Sequence, residues 1–125
     1  NTQIKDLGKL KRVGSYLNLE NTQIESLGNL EYVGNLYLRN SQIKDLGKLK
    51  RVGRDLDLRS SQIESLGKLE YVGSNIFINE NTLIKDLGNL KEVKGNIFIN
   101  ENTPLFHNKE LIEEYKSKGF KFYII

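Results

Sequence analysis

Apolar residues recur along the chain at intervals of about 20 residues. The segment IKDLGKLKRVG at 4–14 is repeated without change at 43–53, and IESLGNLEYVG at 24–34 returns at 63–73 with a single substitution. Each unit opens at an isoleucine, and the starting positions are Ile4, Ile24, Ile43, Ile63 and Ile84, followed by a partial match at Leu105. A fixed period of this kind indicates a tandem array in which each short unit stacks on the next.

Two spacings of apolar residues alternate within each unit. Pairs such as Leu17 with Leu19 have the period of two that a short strand requires. The preceding segment, 4–13 in the first unit, steps by three and predicts turns or short 3-10 segments rather than a full helix. Ten of the eleven glycines fall in two repeating columns, and we expect them to adopt positive φ angles that other residues avoid.

The alternating pairs resemble the strand signature of the leucine-rich repeat family, LxxLxLxxNxL. It is met best by NIFINENTL at 75–83, where Asn81 takes the asparagine position and Leu83 the last apolar position. Earlier units carry a hydroxyl at the asparagine position, as at Thr22 and Ser41, and a hydroxyl can still hydrogen-bond the backbone of a turn.

The resemblance covers residues 1–105 and implies an α/β fold. The expected architecture is a right-handed solenoid with a parallel β-sheet on its concave face and short turn or 3-10 segments on its convex face. LYLRNSQIKDL at 36–46 is similar to a shortened form of the bacterial surface-protein subtype. Members of the family commonly bind other macromolecules, so the resemblance implies a binding module rather than an enzyme.

The chain reads as a single domain, 1–125, with repeats over about 1–104 and a C-terminal cap over about 105–125. At its beginning it starts inside a repeat, without polar cover over Leu7 and Leu10. Either a longer chain has been cut here, or another copy covers this edge. Self-association through the N-terminal edge is therefore a further expectation.

The predicted cap consists of a helix and a final strand. Residues 108–119 predict a helix with Asn108 as N-cap and Gly119 as C-cap. In the following segment FKFYII, Phe122 and Ile124 are expected to cover the end of the core, which places Tyr123 on the opposite, concave side.

The outward positions of the predicted strands form a column that varies between units, whereas the core hardly changes. The column contains three rings together with polar residues, and arginines flank it, which is the composition of a protein-binding hot spot. Stacking of the rings within the sheet alone is the alternative explanation. The candidate partner-binding residues are Tyr16, Asn18, Asn35, Tyr37, Arg39, Asp55, Asp57, Arg59, Phe77, Phe98 and Tyr123.

Charge alternates between successive units in two columns. One reads Lys5, Glu25, Lys44, Glu64, Lys85, and the other Lys11, Glu31, Lys50, Glu70, Lys91. Stacked about 5 Å apart, such neighbours attract one another, so the alternation indicates a structural role. A nucleic-acid-binding stripe is disfavoured because each column contains its own carboxylates. The same register places Tyr32 and Tyr71 beside Arg12 and Arg51 and predicts guanidinium–phenol contacts.

Composition argues against several classes of site. The chain has no cysteine, and its only histidine, His107, is predicted to be a solvated loop residue. Asp55 and Asp57 lie beside arginines that would keep both carboxylates ionised, which disfavours acid–base catalysis. No apolar run approaches the roughly 18 residues of a membrane span. We therefore expect no catalysis, no cofactor, no metal site and no membrane partner.

The favoured hypothesis is a non-enzymatic module that binds a protein or peptide on its concave sheet. The alternative, suggested by the near-identical units, is a structural or engineered consensus repeat scaffold without a natural ligand, although recent duplication of a natural unit would give the same pattern. A nucleic-acid binder is the least favoured reading, since the net charge is only +3.

Overall fold

Each coil of the chain contributes either one longer strand or two short strands to one parallel sheet. The computed structural model describes residues 7–125; Ile4 and Lys5, predicted members of the core and charge columns, lie outside the described residues. The elements are β1 Arg12–Asn18, β2 Tyr32–Tyr37, β3 Arg51–Val52, β4 Leu56–Asp57, β5 Tyr71–Val72, β6 Ile76–Phe77, β7 Glu92–Val93, β8 Ile97–Ile99, α1 Pro104–His107, α2 Lys109–Ser117 and β9 Phe122–Ile124.

The strands pair as two adjoining ladders. The first half of β2 continues through β3 and β5 to β7, and its second half continues through β4, β6 and β8 to β9. We call these the first and second ladders; β1 pairs with both halves of β2. This parallel-strand solenoid with a C-terminal helix and strand confirms the predicted α/β fold class.

The predicted apolar columns form a continuous core. In the second ladder the register pairs Leu36 with Leu56, Leu56 with Ile76, and Ile76 with Ile97, and all four side chains are fully buried. Alternation of side chains across a strand places the intervening residues on the other face. The first described coil is less covered, because Leu10 is 45% exposed while its equivalent Leu30 is 0% exposed.

The segments predicted as turns divide into a turn and a strand. Leu27 and Leu30 close a turn through a 3.1 Å hydrogen bond from the N–H of Leu30 to the carbonyl of Leu27. Val33, predicted to lie in the same turn-like path, instead belongs to β2 and pairs with Val52. The prediction of turns is therefore confirmed for the segment before each valine, while residues 7–125 contain no 3-10 helix longer than such a single turn.

The two columns are occupied by glycine for different physical reasons, so the prediction of positive φ angles is right for only one of them. Gly67 represents the first column, with φ of +55°. Gly73 represents the second; its φ lies outside the positive range, and a Cβ there would overlap the carbonyl oxygen of Gly53 in the preceding coil. At Gly34, Gly73 and Gly95 of the second column, the backbone of the preceding coil approaches too closely for a Cβ, whereas at Gly53 a Cβ would meet the hydroxyl of Tyr32.

The predicted asparagine position is wrong by one residue. Asn81 is exposed and Leu83 is 46% exposed, whereas Thr82 between them is fully buried and donates a 2.8 Å hydrogen bond to the carbonyl of Leu58. The cause is an extra residue in this turn, where the amide oxygen of Asn79 accepts hydrogen bonds from backbone N–H groups. The buried column of the turn therefore consists of hydroxyls: Ser41, Ser61, Thr82 and Thr103 are all buried.

The helix of the cap is confirmed. Asn108 caps α2 by accepting a 3.1 Å hydrogen bond from the N–H of Leu111. The C-cap is Lys118 rather than the predicted Gly119, which follows one residue later with φ of +101°. The hydroxyl of buried Tyr115 accepts a 2.9 Å hydrogen bond from the N–H of Leu87, which joins α2 to the last turn of the array. Burial raises the pKa of Tyr115 above its ordinary value.

Two details of the cap differ from prediction. His107 is exposed, but it ends the short helix α1 rather than lying in an extended loop. Ile124, expected to cover the core, is 58% exposed although it pairs with buried Ile99. The reason is its place on β9, the last strand of the second ladder, on which no further coil of residues 7–125 stacks.

Candidate binding surface

The solvent-facing column of the second ladder forms one row across the sheet. In register order it runs Asn18, Tyr37, Asp57, Phe77, Phe98 and Tyr123, and we call these residues the central row. Tyr37, Phe77 and Phe98 are half-buried, while their chain neighbours on the opposite face are fully buried. The predicted orientation of this column is therefore confirmed.

Three rings at the C-terminal end of the central row form a stack. The centroids of Phe77 and Phe98 are 5.3 Å apart and their planes differ by 9°. Tyr123 continues the stack at 5.9 Å from Phe98 with a tilt of 34°. Each such pair contributes about 0.5–1.5 kcal/mol beyond area burial. Because the faces of neighbouring rings cover one another, the stack between Phe77 and Tyr123 presents mainly ring edges to solvent.

An ion pair interrupts the central row. Asp57 is only 3% exposed, and its carboxylate accepts hydrogen bonds from Nε of Arg59 at 3.0 Å and from a terminal guanidinium nitrogen at 2.8 Å. These hydrogen bonds raise the pKa of Arg59 above its ordinary value. The guanidinium carbon lies 5.7 Å from the centroid of Phe77. Asp57 is thus covered, contrary to its expected place on an open surface, and Arg59 presents the exposed polar group.

The residues two positions before the central row, Asn35, Asp55, Asn75 and Asn96, form hydrogen bonds that connect successive coils. The side-chain oxygen of Asn35 accepts a 3.0 Å hydrogen bond from the N–H of Asp55, Asp55 does the same for Asn75 at 3.1 Å, and Asn75 for Asn96 at 2.9 Å. Each side chain therefore holds the backbone of the next coil. Asn35 and Asp55 are predicted partner-binding residues, but one side-chain oxygen of each already accepts a hydrogen bond within the sheet.

The remaining candidates lie at the edges of this surface. Tyr16 is 57% exposed and meets Tyr37 edge to face, with centroids 6.5 Å apart. Asn18 accepts a hydrogen bond from the N–H of Glu20. Arg39 is exposed and forms no ion pair among the described residues. The structure thus brings the predicted rings and the two arginine positions onto one face of the sheet.

A second polar surface lies on the first ladder. The guanidinium carbons of Arg12 and Arg51 lie 4.2 Å from the ring centroids of Tyr32 and Tyr71, as predicted. A shallow cavity of about 500 Å³ opens here, lined by Lys11, Arg12, Glu31, Tyr32, Lys50 and Arg51. A carboxylate stands among its cations, so the surface is not uniformly positive.

Two neighbouring pairs of the alternating charge columns form ion pairs at the C-terminal end of the array. Lys85 and Glu64 are 3.4 Å apart, and Lys91 and Glu70 are 3.9 Å apart. All of these side chains are well exposed, and exposed pairs contribute at most about 1 kcal/mol. Their role is to avoid like-charge neighbours in successive coils.

Sequence reasoning missed a groove in the cap. Phe106, Ile112, Phe122 and Ile124 form the apolar part of a cavity of about 210 Å³, and charged residues of α2 form its rim. The alternation in the last strand predicted burial for its apolar residues and so gave no sign of this groove.

Other classes of site find no support in the part of the chain that the structure describes. Residues 7–125 hold no cluster of three or more potential metal-ligating side chains. None of their helices is long and apolar enough to cross a membrane.

Comparison with known proteins adds no assignment: no protein-family model, no curated protein and no solved structure matches the chain.

Proposed function

We propose that this chain is a non-enzymatic, leucine-rich-repeat-like module that binds a protein or peptide across the central row. The observation that carries the proposal is the partly exposed stack of Phe77, Phe98 and Tyr123 on the solvent-facing side of the sheet. Aromatic residues and arginine dominate the residues that contribute most to protein–protein affinity.

The surroundings of the stack favour a binding role over a purely structural one. The solenoid has hydrogen bonds and apolar columns of its own, and a row of rings is not needed to close its core. Arg59 stands at one end of the stack, held by a buried carboxylate, so its guanidinium is positioned before a partner arrives. Pre-positioned side chains lose less conformational entropy on binding.

The test is capture of partners by the immobilised chain and by the double variant Phe77→Ala/Phe98→Ala. A matched control, Tyr32→Ala/Tyr71→Ala, removes two rings from the first ladder instead. We expect the first variant to lose partners that the control and the parent chain retain, with all three showing the same far-ultraviolet circular dichroism. Equal capture by the parent and Phe77→Ala/Phe98→Ala would reject the central row as the binding surface.

The same experiment addresses the alternative of a scaffold without a natural ligand. That alternative predicts no partner whose capture depends on any of the four rings. A nucleic-acid binder is tested separately by retention on heparin resin at graded salt. Because Glu31 and Glu70 stand among the cations of the first ladder, we expect elution at or below physiological ionic strength.

A further inference from the structure

The last strand, β9, has an unpaired edge among residues 7–125. The carbonyl of Lys121 accepts a hydrogen bond from Ile97, and the N–H of Ile125 donates to Ile99, so these residues point their backbone groups at β8. Since N–H and C=O groups alternate in direction along a strand, those of Phe122 and Ile124 point to the opposite side. No strand of residues 7–125 pairs there.

The side chains at this edge are also incompletely covered. Tyr123 ends the ring stack and is 53% exposed, and the face that it turns away from Phe98 meets no further coil of the described chain. Ile124 and Ile125 are 58% and 56% exposed. A free ring face between partly covered apolar positions therefore accompanies the free backbone groups.

We propose that β9 accepts an extended peptide as a further parallel strand of the second ladder. This proposal rests on the proposed function, because Tyr123 belongs to both surfaces, and it specifies the class of partner. Strand addition to an exposed sheet edge is a general mode of peptide recognition, in which backbone hydrogen bonds supply affinity and alternate side chains supply specificity.

The register of the ladder defines the side chains that the peptide needs. The residue opposite Tyr123 continues the central row, so an aromatic ring there extends the stack of Phe77, Phe98 and Tyr123. Its two neighbours lie opposite Phe122 and Ile124 and must be apolar to cover them. The same order of apolar, aromatic and apolar residues occurs in the chain's own strands at 76–78 and 97–99.

Charge adds one further requirement. Lys121 is exposed and stands two residues before Tyr123, in the column that the preceding coils fill with Asn75 and Asn96. An acidic residue two positions before the peptide's ring would lie next to the Lys121 ammonium group. The partner is therefore an extended segment with the pattern acidic, apolar, aromatic, apolar, which the peptide GDIFING contains.

In this register the residue opposite Tyr123 makes both central backbone hydrogen bonds. Its N–H donates to the carbonyl of Phe122, and its carbonyl accepts from the N–H of Ile124. Ile124→Pro removes that donor from the open edge, where proline is tolerated, and leaves the pairing with β8 in place. Methylation of the peptide's phenylalanine N–H removes the other hydrogen bond without changing either sequence.

The experiment measures fluorescence anisotropy of fluorescein-labelled GDIFING titrated with the full chain. We expect saturable binding that weakens at least about tenfold with Ile124→Pro, with Tyr123→Ala, with the N-methylated peptide and with its Phe-to-Ala analogue. Tyr71→Ala, which removes a ring from β5 of the first ladder, away from both the central row and β9, is the control and should leave the affinity unchanged.

Equal binding of the N-methylated peptide would overturn the proposal, and this arm needs no protein variant that could fail to fold. Absence of any binding would overturn it as well. If the peptide fails while partner capture still depends on Phe77 and Phe98, the proposed function stands and only strand addition is rejected. Sedimentation equilibrium of the chain alone gives the remaining outcome: a dimer abolished by Ile124→Pro would show that a second copy, not a peptide, occupies the edge.

Discussion

The ion pair between Asp57 and Arg59 offers the sharpest test of how the central row is held. Arg59→Ala removes the two side-chain hydrogen bonds of 3.0 and 2.8 Å from a carboxylate that is 3% exposed. Breaking a fully buried pair costs about 3–5 kcal/mol. Here the Arg59 side chain is 37% exposed, and the backbone N–H of residue 59 still donates to Asp57. We therefore expect a smaller loss of about 2 kcal/mol in the free energy of unfolding.

Urea denaturation followed by circular dichroism measures this loss. Arg39→Ala is the matched control, since Arg39 occupies the same column one coil earlier and forms no ion pair among the described residues; it should cost less than about 0.5 kcal/mol. The double variant Asp57→Leu/Arg59→Leu should recover most of the stability, because it leaves no buried charge without a partner. Equal losses for Arg59→Ala and Arg39→Ala would refute the reasoning.

Two further predictions concern the framework. Gly67→Ala should lower the free energy of unfolding by about 1 kcal/mol through its φ of +55° alone. Gly73→Ala should lower it by about 3 kcal/mol, because the added methyl group overlaps the Gly53 carbonyl. Equal urea midpoints for the two variants would contradict these separate reasons. Stability should also fall above about pH 10, because burial raises the pKa of Tyr115 and the unfolded chain therefore releases the phenolic proton first. This stabilisation is complete below the unfolded pKa and is lost as the pH rises through the folded one, so Tyr115→Phe should show a shallower alkaline decline than the parent chain; identical slopes would count against it.

Much of the architecture could be predicted because a solenoid turns each sequence column into a row in space. Alternation at Leu36 and Leu38 is enough to decide which face of the strand carries Tyr37, and parallel stacking then aligns the equivalent residues of every coil. The contact between Arg51 and Tyr71 could be predicted for the same reason, since it depends only on register.

The errors arose where register alone does not determine the conformation. A one-residue insertion in a turn moves the buried hydroxyl from the expected Asn81 position to Thr82, and only the path of the backbone shows which residue turns inward. Likewise, a glycine chosen for its φ angle and one chosen for close backbone approach look alike in the sequence. Gly67 and Gly73 could be separated only when the neighbouring coil was in place.

The list of candidate binding residues becomes shorter once the hydrogen bonds of the sheet are known. Variation along an outward column indicates binding only if its side chains are free to vary, and the column of Asn35 and Asp55 is not, because each side-chain oxygen holds a backbone N–H of the next coil. No such hydrogen bond ties down the rings of Phe77 and Phe98, which contact each other and remain half-exposed. The backbone of the next coil therefore constrains the choice of residue at 77 and 98 less than it does at 35 and 55. The binding hypothesis accordingly depends on the stacked rings and on Arg59 beside them, and substitutions there separate binding from folding more cleanly than substitutions at Asn35 or Asp55.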